Sequence, residues 1–132
     1  MRVSVGMSEV VLRVGPEHTL RDAAGRMVGH GVGAAIVEDD DWPVPRIITE
    51  RDILKALGTG LDPDLEKVGN HMSESVITAS PEWSMERAAM EMSRRNIRHL
   101  AIYRDGELVG ILSMRDIMRV WTSEGATSGG PP

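Results

Sequence analysis

The sequence predicts an α+β fold built from two βαββα repeats, and three observations carry that prediction. Met7-Ser8-Glu9 returns as Met72-Ser73-Glu74, Pro16-Glu17 as Pro81-Glu82, and Ala23-Ala24 with Met27 as Ala88-Ala89 with Met92, each 65 residues on. Arg51-Asp52-Ile53 returns as Arg115-Asp116-Ile117 at 64, so the second copy has lost one residue in between. Within each copy, short β-branched runs alternate with apolar positions spaced i, i+3, i+4, i+7, so strand and helix periods follow one another. A duplicated unit implies two pseudo-equivalent halves, with any functional crevice duplicated as well.

Residues 10–14 and 76–79 are the first strands, rich in Val and Ile. Turns follow at Gly15-Pro16 and Ser80-Pro81. Thr19 and Ser84 stand as N-caps, their hydroxyls placed to accept an orphan helix N–H. Behind them Leu20, Ala23, Ala24 and Met27, and Met85, Ala88, Ala89 and Met92, form one apolar helix face in each copy. Gly29, Gly31 and Gly33 end the first of these helices and Asn96 ends the second. The second strands span 34–37 and 99–103. Asp105-Gly106 centres a tight hairpin turn, whereas its counterpart at 38–43 is longer and more acidic. Third strands at 46–48 and 108–112 lead into final helices at 50–57 and 114–121. The first repeat is thus 1–60, a linker 61–67, the second repeat 68–121, and 122–132 reads as a disordered tail from its composition.

A single copy would be marginal on its own, because too little apolar surface leaves water, so the two are expected to share one core. Hydrophobic content of 41% and charged content of 27% fit a globular protein. With no cysteine, disulfides, thiolate metal sites and thiol nucleophiles are excluded. A net charge of −5, with three Trp, one Tyr and no Phe, argues against nucleic-acid binding, which wants a basic face and stacking rings. Apolar runs are too short for a membrane span, and the first residues lack a signal peptide's apolar stretch, so the reading is cytoplasmic.

Two tetrads carry the candidate chemistry, Thr49-Glu50-Arg51-Asp52 and Ser113-Met114-Arg115-Asp116. Each follows an apolar strand and opens a helix. One reading is a capping box, in which hydroxyl and acid satisfy the first turn's N–H groups. The other gives the acid a second task, accepting paired hydrogen bonds from a ribose 2′,3′-diol, with the helix dipole favouring an anionic ligand. The sequence leaves both open, and duplication behind matching strands strengthens the second.

These residues also carry a family resemblance. Met-Ser, Pro-Glu and Ala-Ala in order, then Ile97-Arg98-His99-Leu100-Ala101-Ile102, the run from Gly106 to Ser113, and Arg-Asp-Ile resemble a tandem cystathionine-β-synthase (CBS) domain pair, or Bateman module, of the stand-alone bacterial type. The likeness spans 3–121 and is most specific at 97–102 and 106–117. It implies two βαββα units packed sheet to sheet about a pseudo-twofold axis, with two clefts for adenine nucleotides or related adenosyl ligands. On the resemblance, Asp52 and Asp116 match the ribose-binding acid, and Thr49 and Ser113 the hydroxyl near ribose or phosphates. Val11-Leu12 and Ile77-Thr78 match the strand edge whose backbone reads adenine. Arg98 and His99 match basic phosphate-facing positions, expected to reach across the dyad toward the nucleotide whose ribose Asp52 holds.

The copies differ where phosphates would sit. Arg94, Arg95, Arg98 and His99 of the second are Gly29, His30, Gly33 and Ala34 in the first. Arg94 and Arg95 read as a solvated helix end that complements the macrodipole. Pro45-Arg46 replaces Val109-Gly110, and Arg46 either fills the first cleft or adds a phosphate contact, so Asp116 is expected to be occupied more readily than Asp52.

Other signals point away from chemistry. Glu38-Asp39-Asp40-Asp41 reads as a solvated run in preference to a Mg²⁺ site. His18, His30, His71 and His99 lack zinc spacing. Residues 29–33 are not a dinucleotide fingerprint, and no GxSxG or Walker lysine pattern occurs. Nothing combines nucleophile, base and orienting group. The expectation is a non-enzymatic regulatory module with no required cofactor and no metal site. It would sense AMP, ADP or ATP, with S-adenosylmethionine or NAD as further candidates, and signal to a regulated protein. It would homodimerise through Ile53, Leu54, Leu57, Ile117, Met118 and Trp121, with no nucleic-acid or membrane partner. The alternative is a ligand-free dimerisation scaffold whose tetrads only cap helices.

Overall fold

The computed structural model describes residues 1–73 and 76–128, the last five as backbone. Glu74 of the repeated Met-Ser-Glu and the final Gly-Gly-Pro-Pro lie outside them. The elements run α1 (Val3–Gly6), β1 (Arg13–Val14), α2 (Leu20–His30), β2 (Ala34–Val37), β3 (Arg46–Thr49) and α3 (Glu50–Gly58). A 3₁₀ turn (Val68–Asn70) precedes β4 (Thr78–Ala79), α4 (Met85–Arg95), β5 (His99–Arg104), β6 (Glu107–Ser113) and α5 (Met114–Ser128). The two βαββα copies are therefore present, each with a three-stranded sheet, ordered β1-β2-β3 and β4-β5-β6. The first strand of each sheet pairs in parallel with the second, across the helical crossover, and the second pairs antiparallel with the third.

Local chemistry sets the boundaries. Thr19 and Ser84 cap α2 and α4 by accepting the N–H of Asp22 and Arg87. Gly31 (φ 65°) and Asn96 (φ 54°) end these helices in the left-handed region, where Asn is one of the few side chains tolerated. Asp105 and Gly106 both take positive φ, the backbone a two-residue hairpin turn demands.

Two apolar clusters of buried residues lie under the helices of the two sheets. One gathers Val14, Ala35, Val37 and Ile48 from its sheet under Leu20, Ala23, Met27, Ile53 and Ala56. The other gathers Ala79, Leu100, Ile102 and Leu112 under Met85, Ala88, Met92 and Ile117. Each copy solves its shortage of apolar surface by taking an arm from outside its own sequence repeat. Val3 is fully buried in the second cluster and Val68 in the first, and such burial stabilises by about 1.5–3 kcal/mol per side chain. The arms dock identically. Val3 N–H donates to Trp83 O and Ser4 N–H to Pro81 O, as Val68 N–H does to His18 O and Gly69 N–H to Pro16 O. Ser8 and Ile111 exchange backbone hydrogen bonds, and so do Ser73 and Ile47. The compact units are accordingly Val11–Val76, and Met1–Val10 together with the chain from Ile77 onward. The segment read as a linker is bonded to the start of α2, with the Leu20 and Arg21 N–H groups donating to Glu66 O and Pro63 O.

Two expectations need correction. Ile53 and Ile117 are buried under their own sheets, so of the dimer face proposed from sequence Leu54, Leu57 and Met118 are the strongly exposed members. The tail expected to be disordered from 122 is helical through Ser128. The Thr122 hydroxyl donates to Met118 O and Arg119 O, one turn back along this helix. Among the described residues no helix is long and apolar enough to cross a membrane.

Candidate functional site

Each tetrad sits where the third strand of a sheet passes directly into a helix. In the first, Asp52 Oδ2 accepts the Thr49 N–H at 2.8 Å and the Thr49 hydroxyl at 3.1 Å, while Thr49 Oγ1 accepts the Asp52 N–H at 3.4 Å. In the second, Asp116 Oδ2 accepts the Ser113 N–H at 2.9 Å and Ser113 Oγ accepts the Asp116 N–H at 3.0 Å. Both capping boxes are thus formed, and both use the same carboxylate oxygen. Capping does not exhaust the acid, because an ionised carboxylate has two oxygens and about four acceptor positions. Among the described residues nothing bonds to Asp52 Oδ1, whereas Asp116 Oδ1 takes Arg119 Nη2 at 3.2 Å. The same Arg119 nitrogen donates to Gly6 O at 3.2 Å, tying the N-terminal arm to the acid.

Sheet register brings most predicted residues of the second copy together. His99 lies opposite Ser113, and Ala101 opposite both Thr78 and Ile111. Period-two alternation therefore puts Thr78, His99 and Ser113 on the face away from the helices. The Met114 N–H, first in α5, donates to Arg98 O at 2.9 Å, which fixes Arg98 beside the Ser113–Asp116 junction. In the first copy Ala34 lies opposite Thr49, and the Glu50 N–H donates to Gly33 O at 2.9 Å.

The two segments expected to face adenine are out of register with each other. Ile36 N–H donates to Leu12 O, and Ala101 N–H donates to Ile77 O. Those carbonyls belong to the ladder, and Leu12 matches Ile77, so the segments Val11-Leu12 and Ile77-Thr78 are one residue out of step. In a parallel pair alternate residues bond to a given neighbour. Arg13 and Thr78, on the edge strands, therefore turn their own N–H and C=O outward, and they are the equivalent pair.

Charge is distributed unequally. Glu91 engages both Arg94 and Arg95, the latter at 2.8 Å, and the Arg95 hydrogen bond holds the Glu91 carboxyl below the usual glutamate range. Arg98 is exposed, with no ionic partner among the described residues. Arg46 stacks its guanidinium over Trp42, 4.1 Å from the ring centroid. It lies opposite Val37, on the helix side of the sheet and away from Thr49, so the cation does not fill the tetrad's face. Glu38 pairs with Arg13 and Asp39 accepts the Asp41 N–H within its own turn. Among the described residues no group of three His, Cys, Asp or Glu side chains could hold a metal ion.

Two site features escape sequence reading. Arg119 lies three residues after Asp116, so helical spacing could have flagged it. The contact of Glu50 with Gly33 joins residues on different elements and has no local signature. A β-carbon at 33 would stand 3.0 Å from the Glu50 carboxyl carbon, so a side chain there would push that exposed carboxylate aside.

Comparison with known proteins supplies the context. A family model described as CBS domain matches twice, at residues 2–59 and 67–123. An uncharacterized protein of Methanopyrus kandleri is 37% identical over 124 residues, covering 89% of this chain and 63% of its own length. The chain spans 55% and 42% of the next two curated relatives. A CBS domain protein of Pyrobaculum aerophilum, solved in complex with AMP, superposes with a TM-score of 0.80 at 33% identity, covering 96% of this chain and 99% of that one. A CBS domain pair solved with 5′-methylthioadenosine and S-adenosyl-L-methionine gives 0.82 at 25% identity, covering 94% and 98%.

Proposed function

Because the chain belongs to the CBS domain family, carrying two copies of the domain across 2–59 and 67–123, we propose that it is a regulatory module that senses an adenosyl ligand. The observation that carries this reading is the division of labour within each acid. Asp52 and Asp116 cap their helices through Oδ2 alone, which keeps Asp52 Oδ1, and the acceptor position of Asp116 Oδ1 that Arg119 does not take, for a ribose diol. Thr49 and Ser113 stand at the helix entrance, where backbone dipoles favour an anionic group. The outward backbone groups of Arg13 and Thr78 suit the edge of an adenine. Related CBS proteins complexed with AMP, 5′-methylthioadenosine and S-adenosyl-L-methionine support the same ligand class. Binding would act by favouring one arrangement of the protein over another, since a ligand shifts an equilibrium only through its differential affinity. The regulated protein would read that shift.

A thermal-shift panel of AMP, ADP, ATP, NAD and S-adenosylmethionine tests the reading. At a hundred times its dissociation constant a true ligand stabilises by about 2.7 kcal/mol, and silence across the panel would sink it. One observation favours a second reading, a ligand-free interaction scaffold: both capping boxes are complete without a ligand. That scaffold would assemble through Leu54, Leu57 and Met118 and show no shift with any nucleotide.

A further inference from the structure

Resting on that reading, we infer that Arg119 is a positioning residue for the second copy's acid. It ties ligand binding at Asp116 to the N-terminal arm, a link that the first copy lacks. One Arg119 nitrogen, Nη2, donates both to Asp116 Oδ1 and to Gly6 O, each at 3.2 Å. Gly6 closes α1, so its carbonyl is one that the helix itself leaves without a partner, and an arginine is suited to such an end. A β-carbon at 6 would run into the Met85 methyl and stand 2.9 Å from Val120 Cγ2. The missing side chain thus lets the arm lie against α5, within reach of Arg119.

The bond shapes the acid for a diol. A carboxylate offers about two acceptor positions on each oxygen. In Asp116 the Ser113 N–H takes one on Oδ2 and Arg119 one on Oδ1. The plane of the group is thereby fixed and one position stays open on each oxygen, a pair that matches two neighbouring hydroxyls. In Asp52 the Thr49 N–H and hydroxyl both fall on Oδ2, so both open positions lie on Oδ1. Lys55 stands where Arg119 does, and among the described residues it bonds neither Asp52 nor the second arm. His71 stands where Gly6 does and pairs with Glu66 at 2.7 Å. A lone exposed ion pair contributes little. Asp116, however, is only 20% exposed, and the guanidinium is held at a second point by the arm. Whatever orders Asp116 then steadies Arg119 and, through it, Gly6, and the coupling runs equally in reverse.

Nuclear magnetic resonance titration of the full chain with adenosine and with 2′-deoxyadenosine tests the inference. Read at the Asp52 and Asp116 amides, it follows each copy separately. The preference for adenosine over the deoxynucleoside should be larger at Asp116 than at Asp52. Arg119→Ala should lower the preference at Asp116 about two- to tenfold, the cost of ordering one freed side chain, and leave Asp52 unmoved. Lys55→Ala should alter neither. Bound adenosine should slow hydrogen exchange at the Ser8 amide in the parent but, at matched saturation, not in Arg119→Ala. An unchanged preference at Asp116 in Arg119→Ala, equal preferences at the two acids of the parent, or slowing at Ser8 that persists without Arg119 would overturn the inference. Each of those results leaves the sensor reading standing, whereas no binding of either nucleoside would remove both.

Discussion

Asp52 and Thr49 are locked in a reciprocal pair, the acid accepting the Thr49 N–H at 2.8 Å and the hydroxyl accepting the Asp52 N–H at 3.4 Å. Ser113 and Asp116 repeat the arrangement. On the proposed reading structural and ligand-binding duties fall on the same side chain, and substitutions can separate them. Asp116→Ala should cost about 1 kcal/mol of stability through the lost cap, and ligand response with it. Asp116→Asn retains an acceptor for the Ser113 N–H, so its melting temperature should stay near that of the parent. Its affinity for adenosine should still fall about tenfold, because a neutral amide is a weaker acceptor for a diol. Equal adenosine affinity in Asp116→Asn and parent would assign the acid to capping alone.

Gly110 admits the N-terminal arm. A β-carbon there would lie 2.7 Å from Ser8 O, next to the bridge in which Ser8 and Ile111 exchange hydrogen bonds. Gly110→Ala should destabilise by about 1–3 kcal/mol, the usual cost of forced overpacking. Hydrogen exchange should quicken at the Ser8 and Ile111 amides, while Ile47 and Ser73 keep their protection. Uniform loss of protection at both bridges would refute a local effect.

Glu91 gives a pH dependence whose sign is fixed. Its carboxyl titrates below the ordinary range, chiefly through the Arg95 hydrogen bond and then the Arg94 charge, while partial burial works the other way. A lowered acid contributes stability in full above its unfolded-state value and loses it as pH falls through the folded one. The window therefore lies at and below the ordinary glutamate range. A carbon-13 titration of the side-chain carboxyl should place Glu91 below the other glutamates, and Arg95→Ala should bring it back toward them. A midpoint unmoved by Arg95→Ala would disprove the assigned cause.

Leu54 and Met118 occupy matched positions on α3 and α5, with 68% and 51% of their surface exposed. The double substitution Leu54→Glu, Met118→Glu should change stability by no more than about 0.5 kcal/mol, as exposed positions do. If the protein self-associates through these helices, sedimentation of the variant should fall to that of a monomer. An unchanged sedimentation coefficient, in a parent that is itself an oligomer, would place the interface elsewhere.

What could be read in advance was local chemistry. Thr19, Ser84 and Asn96 announce helix ends because each works within a turn of its own position, and Asp105-Gly106 announces its hairpin for the same reason. The tetrads were visible because they repeat. The docking of Val3 beside Trp83 and of Val68 beside His18 was not, since pairing between distant segments leaves no periodic trace. Arg46 was ambiguous until its ring partner, Trp42, was located across a loop. The one-residue slip between Val11-Leu12 and Ile77-Thr78 arose because short apolar runs look alike in either register, whereas a ladder carbonyl does not.

The arm exchange also sets a timetable. Val11–Val76 is one uninterrupted stretch, fully synthesised before the other unit's remaining strands exist, so it can close on itself early. Met1–Val10, although made first, must wait through that whole interval for β6 to emerge and receive Ser8. Docking of this arm therefore waits on β6, and a nascent chain halted before Ile111 would leave Ser8 without the strand that receives it.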